Sequence, residues 1–439
     1  MLGFSFDKSI EEYSLDIPTF SDNESEFLSN FLKTDFDLND LQNSLREFAY
    51  DNGYYLSNEQ IDRFNSLIRL LTSEHMFFEK PLNDNSVEEI AVIGLNKPIY
   101  VYVKQLGWLK TGLKINDKAF FIEVVNRLSI KSGRRITLTN PYLNANISSI
   151  GRIHATLDPI SECELTIRKF TVIPFTLSDF VNSGVMSYEI AAFLWLLVLC
   201  DCSIIISGNT ASGKTSFLNS ITSLFSKNER ILVIEETKEL NLFNEHVVHL
   251  TEFGDIKLKH LIWDSLRMRP DRLLIGEIRK EEEAKALVEC ILAGQARSFY
   301  TTIHANSSKE VISRFKNYDV QEDVISVTDL IINLRRFREI REIESRKKEF
   351  VEKRELRDIY FPRNDLYLSS SKLKEIGEEQ AFRGLYDSLD EPILFKISKL
   401  GIDDFDKFIY FIDSSIEILK QNYSYLDFIK VVNDFYGKL

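Results

Sequence analysis

The sequence predicts an α/β protein built around a mostly parallel sheet. Three observations carry that reading. Between residues 188 and 335, short β-branched runs alternate with amphipathic helical stretches, the pattern of parallel strands joined by crossover helices. One such run, Cys202-Ser203-Ile204-Ile205-Ile206-Ser207, leads directly into Gly208-Asn209-Thr210-Ala211-Ser212-Gly213-Lys214-Thr215, which fits the pattern Gly-x-x-x-x-Gly-Lys-[Ser/Thr]. Glu235, Glu277 and His304 each fall at the carboxyl end of a predicted strand, the edge at which open α/β sheets hold their ligands.

Residues 1–75 form an acidic segment with helical stretches at 40–50 and 58–71. From residue 76 to about 180 a small α/β domain is expected. It has a strand pair at 89–93 and 99–103, a helix at 117–129 with Phe120, Phe121, Val124, Val125 and Leu128 on one face, and further strands at 152–157 and 164–170. The central domain, 181–345, carries strands at 203–207, 230–235, 246–250, 272–277 and 299–304. The apolar run Ile190 to Cys200 ends at Asp201 and is too short to span a bilayer, so it reads as a buried helix. Residues 335–358 are dense in both charges and fit neither the strand nor the helix period. The extension 346–439 looks mostly helical, with apolar faces over 402–421 and 425–436.

Composition narrows the setting. Hydrophobic residues make up 44% and charged residues 28%, as in ordinary globular domains. The first residues lack the basic start and apolar core of a signal peptide. The four cysteines show no disulfide or zinc spacing, so a reducing, cytoplasmic compartment is expected. Net charge is −13, and residues 1–60 hold 13 Asp/Glu against 3 Lys/Arg, which leaves the remainder close to balanced. Such a chain makes a poor general binder of nucleic acid, whose affinity rests on phosphate neutralisation.

The octet has a direct physical reading. Gly208 and Gly213 let the backbone curl until successive N–H groups share one concavity, and the following helix adds its positive dipole end. Lys214 reaches β- and γ-phosphates, the Thr215 hydroxyl is placed to hold Mg²⁺, and Ser216 continues the first helical turn beside them. His246 and His249 are three apart on a strand, so they point to opposite faces and do not make a metal pair.

Three further segments accompany the octet: Ile231-Leu232-Val233-Ile234-Glu235-Glu236-Thr237-Lys238-Glu239-Leu240, Leu266 to Arg279 with Gly276-Glu277 at its strand end, and Tyr300-Thr301-Thr302-Ile303-His304-Ala305-Asn306-Ser307. Upstream lie Gly151-Arg152-Ile153-His154-Ala155 and Leu165-Thr166-Ile167-Arg168-Lys169-Phe170. In order and spacing these segments resemble the secretion-ATPase superfamily, the hexameric motors of type II and type IV secretion, type IV pili, Tad-type pili and archaella. The resemblance covers roughly residues 80–345. It implies a RecA-like ATPase core after a small PAS-like domain, with ATP and Mg²⁺ as ligands. Glu277 is then the candidate to polarise the attacking water or order the metal shell, and Glu235 the candidate to orient water or Mg²⁺. His304 becomes the candidate either to sense the γ-phosphate or to relay strain to the neighbouring subunit. Arg152 and Arg168 match arginines that reach the nucleotide from the N-terminal domain. Arg269, and Arg267 less closely, resemble an arginine lent by a neighbouring subunit. The chain departs from the family pattern at Glu236, where aspartate is usual, and at Gln295, where a second histidine is usual.

The resemblance also implies a homohexamer working at the inner face of the cell membrane. There it would act on a polytopic platform protein, and through it on pilin-like subunits or cargo, by changing the angle between the small domain and the core. The sparse glycine and the helical extension lean towards the archaeal-type branch. Two other readings compete: a RecA-like nucleic-acid translocase, and a nucleotide-binding structural subunit with little turnover. The acidic 1–60 segment is a candidate docking element for a basic membrane-protein loop.

Overall fold

The computed structural model describes residues 2–104, 106–147, 150–169, 174–294, 296–343, 347–376, 379–421 and 423–437. The chain divides into two compact units, Met1–Thr171 and Val172–Leu439.

The first unit is an antiparallel sheet of seven strands: β1 (Phe4–Phe6), β2 (Val87–Ile93), β3 (Pro98–Val103), β4 (Gly107–Ile115), β5 (Tyr142–Ile147), β6 (Gly151–Thr156) and β7 (Glu164–Lys169), in the order β1-β4-β3-β2-β7-β6-β5. Alternation sends Ile99, Val101, Ile153, Ala155, Leu165 and Ile167 into a shared core. Helices Asp22–Phe31, Leu41–Asp51, Asn58–Thr72 and Lys118–Ser129 supply residues to the same core. Local sequence starts these helices. Ser21 with Glu24, and Ser57 with Gln60, form reciprocal capping boxes, and Asp117 accepts from Phe120 N.

The acidic segment is therefore no separate piece. β1 pairs with β4, and Phe27, Phe31 and Phe64 are buried in the same cluster as the sheet residues. No boundary falls at residue 75, because β1 is hydrogen-bonded to β4 and Phe4 packs on Phe77 and Phe120 beyond that point.

The second unit contains β8 (Ile204–Gly208), β9 (Ile231–Glu235), β10 (Val247–Thr251), β11 (Arg272–Ile275), β12 (Ser298–His304), β13 (Leu330–Ile343), β14 (Lys347–Phe361) and β15 (Leu366–Ser369), in the order β10-β9-β11-β12-β8-β13-β14-β15. The first six are parallel, and β14 and β15 add antiparallel pairs. The strands read as unbroken apolar runs because both faces are covered. Ile204 and Ile206 face one core, and Ile205 faces the other.

Helix Tyr188–Leu199 is buried along nearly its whole length in the first of these cores. The C-terminal helices Phe405–Leu419 and Tyr425–Tyr436 lie in it too: Trp195 Nε1 donates to Tyr436 OH at 2.9 Å, and that hydroxyl donates to Leu224 O at 2.6 Å. The extension predicted from residue 346 is thus part of this unit's hydrophobic core. The four expected segments, 1–75, 76–180, 181–345 and 346–439, resolve into two units. The open question over 335–358 resolves as strand for the described residues, 335–343 and 347–358.

Candidate functional site

The loop between β8 and helix Lys214–Thr222 lies at the carboxyl end of the parallel strands. Its glycines are required for different reasons. A Cβ on Gly208 would run into the Leu334 carbonyl oxygen and the Ser212 hydroxyl. Gly213 has φ of +94°, a left-handed conformation that places it as the cap of the helix.

Lys214 folds back inside the loop. Its Nζ donates to Gly208 O, Asn209 O and His304 Nδ1, each at 3.2 Å. Burial lowers its pKa, with the nearby Arg279 charge adding to the effect. An ammonium group only donates, so Nδ1 of His304 is the bare nitrogen and Nε2 carries the ring proton. Nε2 stands 3.1 Å from Glu277 Oε1, at an angle short of a full hydrogen bond. Burial, then Lys214, lowers the His304 pKa, which keeps the imidazole neutral at pH 7.

Glu277 is held from its other side by Arg279, whose Nε and Nη2 donate to Oε2 at 3.0 and 2.8 Å. The same guanidinium donates through Nη1 to Glu236. Arg279 and Lys280 N–H groups both donate to Glu283 Oε2, which anchors the turn that follows β11. A polar chain thus runs from Lys214 through His304 and Glu277 to Arg279 and Glu236. Sequence reading found the first three members and missed the role of Arg279. Its position two residues after Glu277, beside a strand end, was the available signal.

Glu235 stands apart from Lys214 and the loop. It ends β9, and β11 and β12 separate β9 from β8, about 14 Å at ordinary strand spacing. Its Oε1 accepts from Glu239 N and Leu240 N at 3.0 Å each. Its Oε2 is buried without a hydrogen-bond partner and lies 3.9 Å from His249 Nδ1, itself buried and without one. Burial pushes the Glu235 carboxyl up to about 8 and the His249 imidazole down to about 4. The same side chain explains Gly276: a Cβ there would stand 3.2 Å from Glu235 Cγ, so the aspartate usual at this strand end in P-loop enzymes would be crowded.

The remaining predicted residues fall as follows. Asn209 clamps the loop to β13, donating to Arg336 O at 2.9 Å and accepting from Arg336 N at 3.0 Å. Thr210 and Ala211 form the exposed tip of the loop, while Thr215 and Ser216 are half-buried in the helix's first turn. Arg269 and Arg267 are exposed, ahead of the amino end of β11 and thus across the sheet from the loop, so this chain does not bring them to its own site. In the first unit, Arg152 and Arg168 are directly paired across β6 and β7, and Glu89 on β2 faces Arg168. The Glu89 carboxylate offsets part of the repulsion between the paired guanidinium groups. Gln295 lies outside the described residues.

The donor set fits a magnesium–nucleotide. The loop is a cradle that a Cβ at Gly208 would fill, Ser212 Oγ is buried in it without a hydrogen-bond partner, and a buried lysine sits at its floor. Thr215 is the residue that would hold Mg²⁺, which would screen phosphate charge. Among the described residues, no group of three metal-ligating side chains offers an all-protein metal site.

Fold and site together define an α/β protein whose β8–helix loop has the pattern and geometry of a phosphate-binding loop. The family model described as Type II/IV secretion system protein matches residues 123–364, more than half of the chain, and the chain belongs to that family. An uncharacterised protein of Methanocaldococcus jannaschii is 34% identical over 252 residues, covering 54% of this chain and 34% of the relative. This chain thus spans about a third of that relative's length. The type IV secretion system protein VirB11 of Bartonella quintana is 25% identical over 311 residues, covering 58% of this chain and 86% of VirB11. The X-ray structure of the Legionella pneumophila ATPase DotB aligns at 16% identity with a TM-score of 0.44, covering 79% of this chain and 87% of DotB. Among the described residues, no helix is long and apolar enough to cross a membrane.

Proposed function

We propose that this chain is an ATP-hydrolysing motor of the secretion-ATPase kind, with a RecA-like core and a PAS-like preceding domain. The observation that carries the reading is the connected set Lys214, His304 and Glu277 at the mouth of the glycine loop. In this reading the loop N–H groups and Lys214 grip the triphosphate. Lys214 must leave His304 to do so. Glu277, already oriented by Arg279, polarises the attacking water, and neutral His304 reports whether the terminal phosphate is present. Glu277 is better placed for this than Glu235, which ends β9 with β11 and β12 standing between it and β8. Arg152 and Arg168 from the first unit, and Arg269 and Arg267 from a neighbouring copy, supply positive charge to the phosphates.

The working form in this reading is a homohexamer at the inner face of the membrane. Turnover drives movement against a polytopic platform, and so the assembly or retraction of a pilus-like filament or the export of cargo. Two experiments test the core of it. Labelled ATP should bind the wild-type chain and be lost with Lys214→Ala. Phosphate release should fall at least about 100-fold in Glu277→Gln while nucleotide affinity holds. Equal, slow phosphate release by wild type and Glu277→Gln would leave only a binding protein.

A further inference from the structure

β13 and β14 outrun the sheet they belong to. β13 pairs with β8 only as far as Leu334 opposite Gly208, yet its ladder with β14 continues to Ile343 opposite Lys347. β14 meets β15 only over Asp358–Phe361. Residues 335–343 and 347–357 are therefore a two-stranded ribbon that begins where the phosphate loop begins and runs on in the direction of β8. The Asn209 side chain locks the two together by its paired bonds to the Arg336 backbone.

From the far strand of this ribbon Arg354 returns to the loop. Its Nε donates to Ala211 O at 3.2 Å, and its Cδ stands 3.8 Å from where a Cβ on Gly213 would be. The side chain therefore crosses the loop from its tip to the start of the helix, the stretch whose N–H groups receive phosphates. Its neighbours on the ribbon are differently occupied. Arg336 donates to Glu352 Oε2 through Nε at 3.1 Å and through Nη2, and Arg338 Nε lies 3.5 Å from Glu352 Oε1. Arg354 has no carboxylate within ion-pair distance among the described residues. A guanidinium held by one Nε–H to a backbone carbonyl keeps its Nη fork for another acceptor, and the fork matches phosphate oxygens in pairs.

We propose that Arg354 is a phosphate-binding residue, supplied by the β13–β14 ribbon of the same chain to the diphosphate portion of a nucleotide in the 208–215 loop. This rests on the nucleotide reading above. It predicts that the ribbon's position and the occupancy of the loop depend on each other.

The experiment measures affinity for a fluorescent ADP, with no turnover involved, in the full chain. Arg354→Gln retains a side-chain N–H for Ala211 O but loses the charge and the fork, so it separates bracing of the loop from phosphate binding. Arg354→Gln and Arg354→Ala should bind about ten-fold more weakly, Arg354→Lys within about three-fold of wild type, and Arg338→Gln within about two-fold. Unchanged affinity in Arg354→Gln overturns the proposal and leaves only a brace. An equal loss in Arg338→Gln overturns it in favour of a general charge effect. If the wild type fails to retain ADP, the nucleotide reading itself falls, and this proposal with it. If the wild type binds and Lys214→Ala does not, the loop reading stands whatever Arg354 does.

Discussion

Lys214 Nζ donates to His304 Nδ1 across 3.2 Å, so the lysine proposed to grip phosphate and the histidine proposed to sense it share one hydrogen bond. They cannot both keep it once a nucleotide engages the lysine. His304→Ala removes one of three acceptors that hold Lys214 back. ADP affinity should therefore stay within about two-fold or improve, while turnover falls about ten-fold or more because the sensor is gone. Equilibrium binding and steady-state phosphate release on one preparation check this. Parallel losses in both would make His304 a structural group.

Arg279 fixes Glu277 by two bonds and reaches Glu236 by a third. Arg279→Ala should lower turnover by about ten- to a hundred-fold with little change in nucleotide affinity, since it leaves Glu277 present but unoriented. Arg279→Lys should recover only part, because lysine cannot make the paired contact. If Arg279→Ala and Glu236→Gln have equal effects, the arginine acts through Glu236 rather than Glu277, and single-turnover rates of the two variants distinguish these cases.

Glu235 makes a pH prediction with a definite sign. Burial raises its folded-state pKa from 4.5 to about 8, with Glu239 adding to the rise and Lys238 and the two backbone N–H groups opposing it. The folded protein then holds a proton that the unfolded chain has released. Stability from this group is present below about 4.5 and lost as pH rises through about 8. Glu235→Gln keeps the acceptor for Glu239 N and Leu240 N but has no proton to lose. Linkage makes this about 3 kcal/mol between pH 5.5 and pH 8.5, so its melting midpoint relative to wild type should rise by about 6–12 °C over that range, at roughly 2–4 °C per kcal/mol for a unit of this size. A difference flat across that range would mean that Glu235 is ionised in the fold.

The parts of this protein legible in its sequence are those in which local pattern and chemistry coincide. β8, the glycine loop and the helix after it follow from adjacent residues, and so do β9, β11 and β12 with Glu235, Glu277 and His304 near their ends. Contacts between distant elements were not legible. Nothing in the neighbourhood of Arg354 marks it as a partner of Ala211, 143 positions away. The stretch 335–358 defied a period because charged residues of both signs alternate irregularly with its apolar ones, so neither a twofold nor a helical repeat stands out. The C-terminal helices were readable as helices, but their place against Trp195 depends on which face they cover. The acidic charge of residues 1–60 masked a core, because Phe27 and Phe31 count for little in a charge tally and a great deal in packing.

That last point governs how the N-terminal segment can be studied. Deleting residues 1–60, the obvious test of a docking role, removes β1 from the edge of the first sheet and takes Phe27, Phe48 and Tyr54 away together, leaving Phe64 without the Phe27 ring that stacks on it at 5.4 Å. Phe27 is 2% exposed, and Phe27→Ala alone should cost about 3–5 kcal/mol. A chain beginning at residue 61 should therefore lose the melting transition of the first unit and become protease-sensitive before residue 171, while the second unit melts as before. Exposed charges offer a cleaner probe: Asp35→Asn, Glu47→Gln and Asp51→Asn together should leave the melting curve within about 1 °C of wild type, as surface substitutions do. If this triple variant keeps the fold but no longer binds a basic platform-loop peptide at low salt, the acidic surface docks by charge. If binding is unchanged at low and high salt, the segment serves the fold alone.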